Sequence, residues 1–123
     1  MRPLTIFLAL MSLATPVLGA EPNVIGLWLR EDGTAHVRFG SCGEAVCGYV
    51  AWVQDPANAD DIGLKVFYDM MPGDAGEWKG SAFNPEDRKT YSGKMLLEGA
   101  ALKTSGCIFG GLICKSVNWT RLK

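Results

Sequence analysis

The chain has 123 residues, 48% of them hydrophobic, with 12 basic and 13 acidic side chains and a net charge of −1. That length holds one small domain. Neither a basic stripe nor an acidic tail is present, so the electrostatic footprint of a nucleic-acid binder is missing and no nucleic-acid partner is expected.

The first twenty residues read MRPLTIFLALMSLATPVLGA. Arg2 gives a positive start, Leu4 to Leu13 is apolar, and Pro16 with small residues closes the stretch. This is the layout of a secretory signal, and the apolar run is too short to span a bilayer as a helix. The expected cut follows Ala20, with Leu18 standing where a small residue is usual. An uncleaved anchor is the competing reading, and the short run argues against it. Residues 21–123 are then one domain, periplasmic or secreted, with no membrane span after signal removal.

Beyond Ala20 no stretch keeps helical spacing for three turns. Period-two alternation recurs instead, broken by turn residues about every ten positions. Residues 24–31 (VIGLWLRE) run into the hairpin dipeptide Asp32-Gly33, and 34–42 (TAHVRFGSC) return. A turn at Glu44-Ala45 leads to 47–53 (CGYVAWV). The polar QDPANADD loop precedes 62–70 (IGLKVFYDM), and MPGDAGE precedes 78–83 (WKGSAF). NPEDRK is another turn, followed by 90–98 (TYSGKMLLE) and 101–109 (ALKTSGCIF), joined at Gly99-Ala100. Gly110-Gly111 turns the chain into 112–121 (LICKSVNWTR). The fold class is all-β. Eight short strands joined by hairpins close into an up-and-down antiparallel barrel, which removes the edges that one flat sheet would expose. A two-sheet sandwich is the alternative.

The turns set registers, and directly opposed residues share a face. Trp28, Val37, Phe39, Val50 and Trp52 are expected on one face, with His36, Arg38 and Tyr49 on the other. Ile62, Leu64, Val66, Tyr68 and Met70 form the apolar side of the fourth strand. Around Gly110-Gly111, Ile108 faces Ile113, Thr104 faces Val117 and Leu102 faces Trp119, with Arg121 as one buried cation. Alternation thus places Phe39, Trp52, Tyr68, Trp78, Tyr91 and Trp119 as candidate barrel-lining, ligand-binding side chains. Gly48, Gly80 and Gly93 are expected to leave space on the inner wall.

The same registers set Cys42 against Cys47 and Cys107 against Cys114, outside the wall. Two hairpin disulfides are the expected pairing among the three that four cysteines allow. The rival links the hairpins, as in Cys42 to Cys107. Metal binding would need reduced cysteines, with only His36 to join them, and none is expected.

The segments GLWLREDG (26–33), SCGEAVCGYVAW (41–52), FNPEDRKTYSGKM (83–95) and GCIFGGLICKSVNWTR (106–121) resemble the domain of unknown function 2147 family of exported bacterial proteins. The resemblance implies a lipocalin-like, calycin-type barrel. In the calycin group a Gly-x-Trp on the first strand meets an Arg near the end of the last. Here those positions are Gly26, Trp28 and Arg121, which would close one end of the barrel. The chain departs from the family in its brief QDPANADD segment.

Two functional readings follow. The first is an exported barrel that binds a small hydrophobic molecule in its interior. The second is an envelope protein-interaction module or enzyme inhibitor with a filled barrel, working through QDPANADD and MMPGDAGE, where Met70 and Met71 would supply apolar contact. The acidic residues fall mostly in turns, where local turn chemistry accounts for them. No enzymatic activity and no cofactor are expected.

Overall fold

A computed structural model of the chain describes residues 23–123; the expected signal, residues 1–20, lies outside them. Eight strands form one closed antiparallel barrel in sequence order. They are β1 (Gly26–Arg30), β2 (Ala35–Cys42), β3 (Ala45–Val53), β4 (Lys65–Pro72), β5 (Glu77–Asn84), β6 (Lys89–Glu98), β7 (Ala101–Ile108) and β8 (Ile113–Arg121). Short 3-10 turns at Pro56–Asp61 and Phe109–Gly111 interrupt the β3–β4 and β7–β8 connections. Asp55 starts the first of these by accepting from the Ala57 amide at 2.9 Å. Among the described residues no helix is long and apolar enough to cross a membrane.

The hairpins at Asp32-Gly33, Gly99-Ala100 and Gly110-Gly111 have the registers expected of them. Trp28 pairs with Val37, Leu102 with Trp119, and Cys107 with Cys114. The β2–β3 turn sits one residue earlier than expected, at Gly43-Glu44, because Gly43 takes the positive φ of 69° that a tight turn favours. That shift moves the register by two residues, so Cys42 pairs with Ala45, and Gly40 with Cys47.

Three bulges then separate the structure from simple alternation. Val37 faces Val50 while His36 faces Trp52, so Ala51 is an extra residue in β3. Beyond it the parity of β3 is reversed, and Trp52 lies on the outer wall. In β4, Tyr49 faces Lys65 and Gly48 faces Phe67, which makes Val66 an extra residue. A third bulge near Asp69 (φ 48°) lies between the Tyr68–Ser81 and Met71–Lys79 pairs. Val66, Phe67 and Met70 are consequently buried, and Tyr68 is turned outward. Ile62 ends the Pro56–Asp61 turn and is exposed, not part of β4.

The core sits along the barrel axis and includes Val24, Trp28, Val37, Phe39, Phe67, Met70, Trp78, Met95, Leu102 and Trp119. The inner-wall glycines do not make a cavity. A Cβ on Gly48 would stand 2.7 Å from Phe39 Cε1 and 2.9 Å from Phe67 Cδ2, so those rings use its space. At Gly80 and Gly93 the neighbouring strand backbones take up the room, at 2.5 Å and 2.9 Å from the ideal Cβ. These glycines let strands and rings approach closely.

Both hairpin disulfides are formed, Cys42–Cys47 and Cys107–Cys114. They belong with proteins of an oxidising, non-cytoplasmic compartment. Although their parity is outward, Cys47 and Cys107 are buried by surrounding atoms and do not simply decorate the wall.

Candidate functional site

The two ends of the barrel differ. At the end where β1 begins and β8 finishes, Val24 and Trp28 are fully buried, and the Trp28 indole N–H donates to the Val24 carbonyl at 2.9 Å. The Arg121 guanidinium lies 4.4 Å from the centre of the Trp28 ring and donates to the carbonyls of Ile25 and Asn23. Gly26 has a φ of 140°, and any Cβ there would collide with the Lys123 carbonyl and stand 2.9 Å from Arg121 Nη1. Gly26, Trp28 and Arg121 therefore act together to shut this end, a closure compatible with the calycin type. Arg121 is exposed, not buried as expected, because it covers the outside of the plug while its ring partner fills the inside.

The opposite end is open. A cleft of about 860 Å³ enters between the turns at 31–34, 54–64, 85–88 and 109–112. Val37, Val50, Val66, Phe67 and Trp119, all buried, form its apolar floor. One polar side chain sits among them. The Thr104 hydroxyl is buried and accepts the Trp119 indole N–H at 2.9 Å, and its own proton has no acceptor among the described residues. The rim is charged, with Asp32, Asp61, Glu86 and Asp87 against Arg30 and Lys115.

Two rim carboxylates are held ionised by neighbours. The Thr34 hydroxyl donates to Asp32 at 2.6 Å and its amide at 3.0 Å, and with nearby Arg30 these lower the Asp32 pKa. The Tyr91 hydroxyl donates to Asp87, which lowers the carboxyl pKa and raises that of the phenol. This pair braces the β5–β6 turn at the edge of the mouth.

Of the six aromatic residues expected to line the barrel, four do so in different ways. Phe39 and Trp119 are buried inside, Trp78 is buried toward the closed end, and Tyr91 borders the open mouth. Trp52 and Tyr68 do not. Trp52 is 40% exposed and stacks on His36 with ring centres 4.5 Å apart. Lys65 Nζ lies 4.8 Å from the centre of the Tyr68 ring, on the outer wall. The bulges after Val50 and around Tyr68 cause both reversals. Phe67, which alternation assigned to the outside, is the ring that meets Phe39 and Trp119 within the barrel. No local signal marks it, since the extra residue before it is visible only through its pairing with β3.

Met70 is fully buried, so of the two methionines only Met71 is exposed for apolar contact. The sulfurs of Cys42 and Cys47 gather with an Asp69 oxygen within 4.8 Å. Bonded to each other, they are not thiolate ligands, and this cluster is no metal site.

Together the fold and cleft define a small disulfide-stapled barrel, plugged at one end and open at the other. The chain belongs to the DUF2147 family, described as uncharacterised proteins conserved in bacteria, whose model matches residues 26–121. No curated protein and no solved structure matches the chain.

Proposed function

We infer that this is an exported binding protein that takes a small, mainly apolar molecule into the open half of the barrel. The observation that carries this reading is the 860 Å³ cleft with its buried apolar floor. Ligand sites are characteristically concave and apolar with a few placed polar groups. Thr104 is such a group: its free hydroxyl proton suits a ligand whose buried end carries a hydrogen-bond acceptor. The charged rim suits a more polar outer end. Export through the signal at residues 1–20, cut after Ala20, would deliver the protein to the periplasm or beyond, where its disulfides persist. The role is binding and not catalysis. The alternative, an interaction module built on a filled barrel, accounts for the packed lower half but not for the open upper half.

The test is native mass spectrometry of protein taken from the periplasm and then offered a panel of fatty acids and apolar metabolites. A stoichiometric mass shift is expected, weakened by Ala82→Trp, which places an indole in the cleft, and retained in Trp52→Ala on the outer wall. Empty protein across the whole panel would overturn the reading.

A further inference from the structure

The barrel wall is closed unevenly. β8 pairs with β7 over its whole length, from Ile113 to Thr120. Against β1 it pairs only at Arg121, Thr120 and Trp119. The Glu31 amide adds one last rung to the Asn118 carbonyl at 2.9 Å, after which β1 leaves for its turn. Residues 113–117 of β8 therefore have β7 on one side and no paired strand among the described residues on the other.

Hydrogen-bond parity identifies the free groups. In an antiparallel strand, alternate residues direct both main-chain groups to the same neighbour. Leu122 and Asn118 bond toward β1, so Ser116 and Cys114 are the next to face that side, and neither amide has a partner among the described residues. Ile113, Lys115 and Val117 share the inner face and border the cleft, while Cys114 and Ser116 look outward. The hairpin tip beside this edge is apolar and exposed, with Phe109 at 70%, Leu112 at 85% and Ile113 at 55%.

We propose that this free edge of β8 receives an extended segment of another protein as an added antiparallel strand. Strand addition uses main-chain bonds for affinity and alternate side-chain pockets for selectivity. Here two apolar side chains of the partner lie over Ile113 and Val117 at the cleft, and an acidic one between them meets Lys115. Charge decides against a second copy of this chain as occupant. The two-fold register that uses both Cys114 and Ser116 sets Lys115 directly opposite its own copy, and like charges opposed across a strand pair are destabilising. Lysine on an edge is also a common guard against self-pairing. This proposal is independent of the small-molecule reading, since an added strand needs the edge and not an occupied floor.

The probe is a seven-residue peptide with threonine at every odd position and valine, glutamate and valine between them, titrated into the mature oxidised protein by NMR. Saturable binding below about 1 mM is expected, with slowed amide exchange at Cys114 and Ser116. A lysine-centred peptide, and one N-methylated at the two threonines beside the glutamate, should each bind at least about tenfold more weakly. Ser116→Pro removes an edge-facing amide while keeping every main-chain bond to β7, losing only the Ser105–Ser116 hydroxyl contact, and should abolish binding while leaving the fold intact. Lys115→Glu should reverse the preference between the two central charges, which keeps the test open if the proline variant does not fold. Equal affinity for all three peptides, or no binding of the glutamate peptide up to about 1 mM, would overturn the proposal. A concentration-dependent dimer lost in the proline variant would also overturn it, by giving the edge to a second copy.

Discussion

Arg121 lies with its guanidinium 4.4 Å from the centre of the Trp28 ring, and it simultaneously donates to the Ile25 and Asn23 carbonyls. One side chain at the end of the last strand thus holds the first strand, the segment before it and the plug of the barrel. Arg121→Ala should cost about 1–3 kcal/mol, combining a cation–π contact with charge-assisted hydrogen bonds on an exposed side chain. Arg121→Lys should recover only part, because an ammonium lacks the planar fork. Urea denaturation checks this, and a loss under about 0.5 kcal/mol for the alanine variant would remove Arg121 from the closure.

The two tryptophans that alternation placed on the same inner face should behave oppositely. Trp119→Ala empties a core position and leaves Thr104 without its donor, a loss of about 3–5 kcal/mol. Trp52→Ala forfeits only a stack on His36 at the surface, about 1 kcal/mol or less. Denaturant midpoints of the two variants, with acrylamide quenching to confirm which indole is exposed, decide between the bulged register and a straight one.

Gly48→Ala places a methyl between Phe39 and Phe67 and should destabilise by about 1–3 kcal/mol through overpacking. Gly40→Ala, on the outer face with open space around its Cβ direction, should be neutral within about 0.5 kcal/mol. Thermal melts of the pair separate crowding at one site from a general effect of replacing strand glycines.

Each disulfide closes a short loop, so the chain-entropy contribution is about 2–2.5 kcal/mol for either. Replacing Cys42 and Cys47 by serine should nevertheless cost more than replacing Cys107 and Cys114. Both pairs hold one buried cysteine, but Cys47 is 0% exposed with a half-buried partner in Cys42, whereas Cys107 keeps 8% exposure and its partner Cys114 is exposed. The first replacement therefore leaves the more deeply buried hydroxyls. Non-reducing peptide mapping verifies the connectivity, and urea titration of the two double variants reads the order.

The Asp87–Tyr91 pair should make the rim sensitive to pH at both extremes. The Asp87 pKa is depressed on folding, so its contribution is present above the ordinary aspartate range and lost as pH falls through the lowered value. The Tyr91 pKa is raised, so its contribution is present below the ordinary tyrosine range and lost as pH rises through the raised value. Between them the bond is intact. NMR titration should find Asp87 titrating below ordinary aspartates, and Asp87→Asn should return Tyr91 toward the usual phenol range.

Glycine turns were legible where the glycine was read as part of the turn, and the β2–β3 hairpin was misread by two residues because Gly43 was placed outside it. Asp32-Gly33, Gly99-Ala100 and Gly110-Gly111 each set a register that holds in the structure, and with it the Trp28–Val37, Cys107–Cys114 and Leu102–Trp119 pairs. The candidate site was half legible. Tyr91 and Trp119 were reached by alternation at the cleft, Phe39 and Trp78 are inward as expected but lie outside its lining, Trp52 and Tyr68 were misassigned, and Phe67 was missed. Each of these misplaced rings lies beyond a bulge in β3 or β4, the two strands joined by the long connection that contains the Pro56–Asp61 turn.

The joining of first and last strands through Trp28 and Arg121 was implied by the family resemblance, whereas composition and local pattern alone determined the strand number, the all-β class and the expectation of hairpin disulfides. The latter follow from turn chemistry and period-two alternation, which act over a few residues. Only the tertiary structure decided which aromatic rings face inward, that one end is plugged and the other open, and that the upper edge of β8 is left unpaired among the described residues. A bulge reverses parity in response to the curvature demanded by neighbouring strands. The point where β1 leaves β8 depends on how all eight strands close around the core. Neither quantity is stored in any one stretch of the chain.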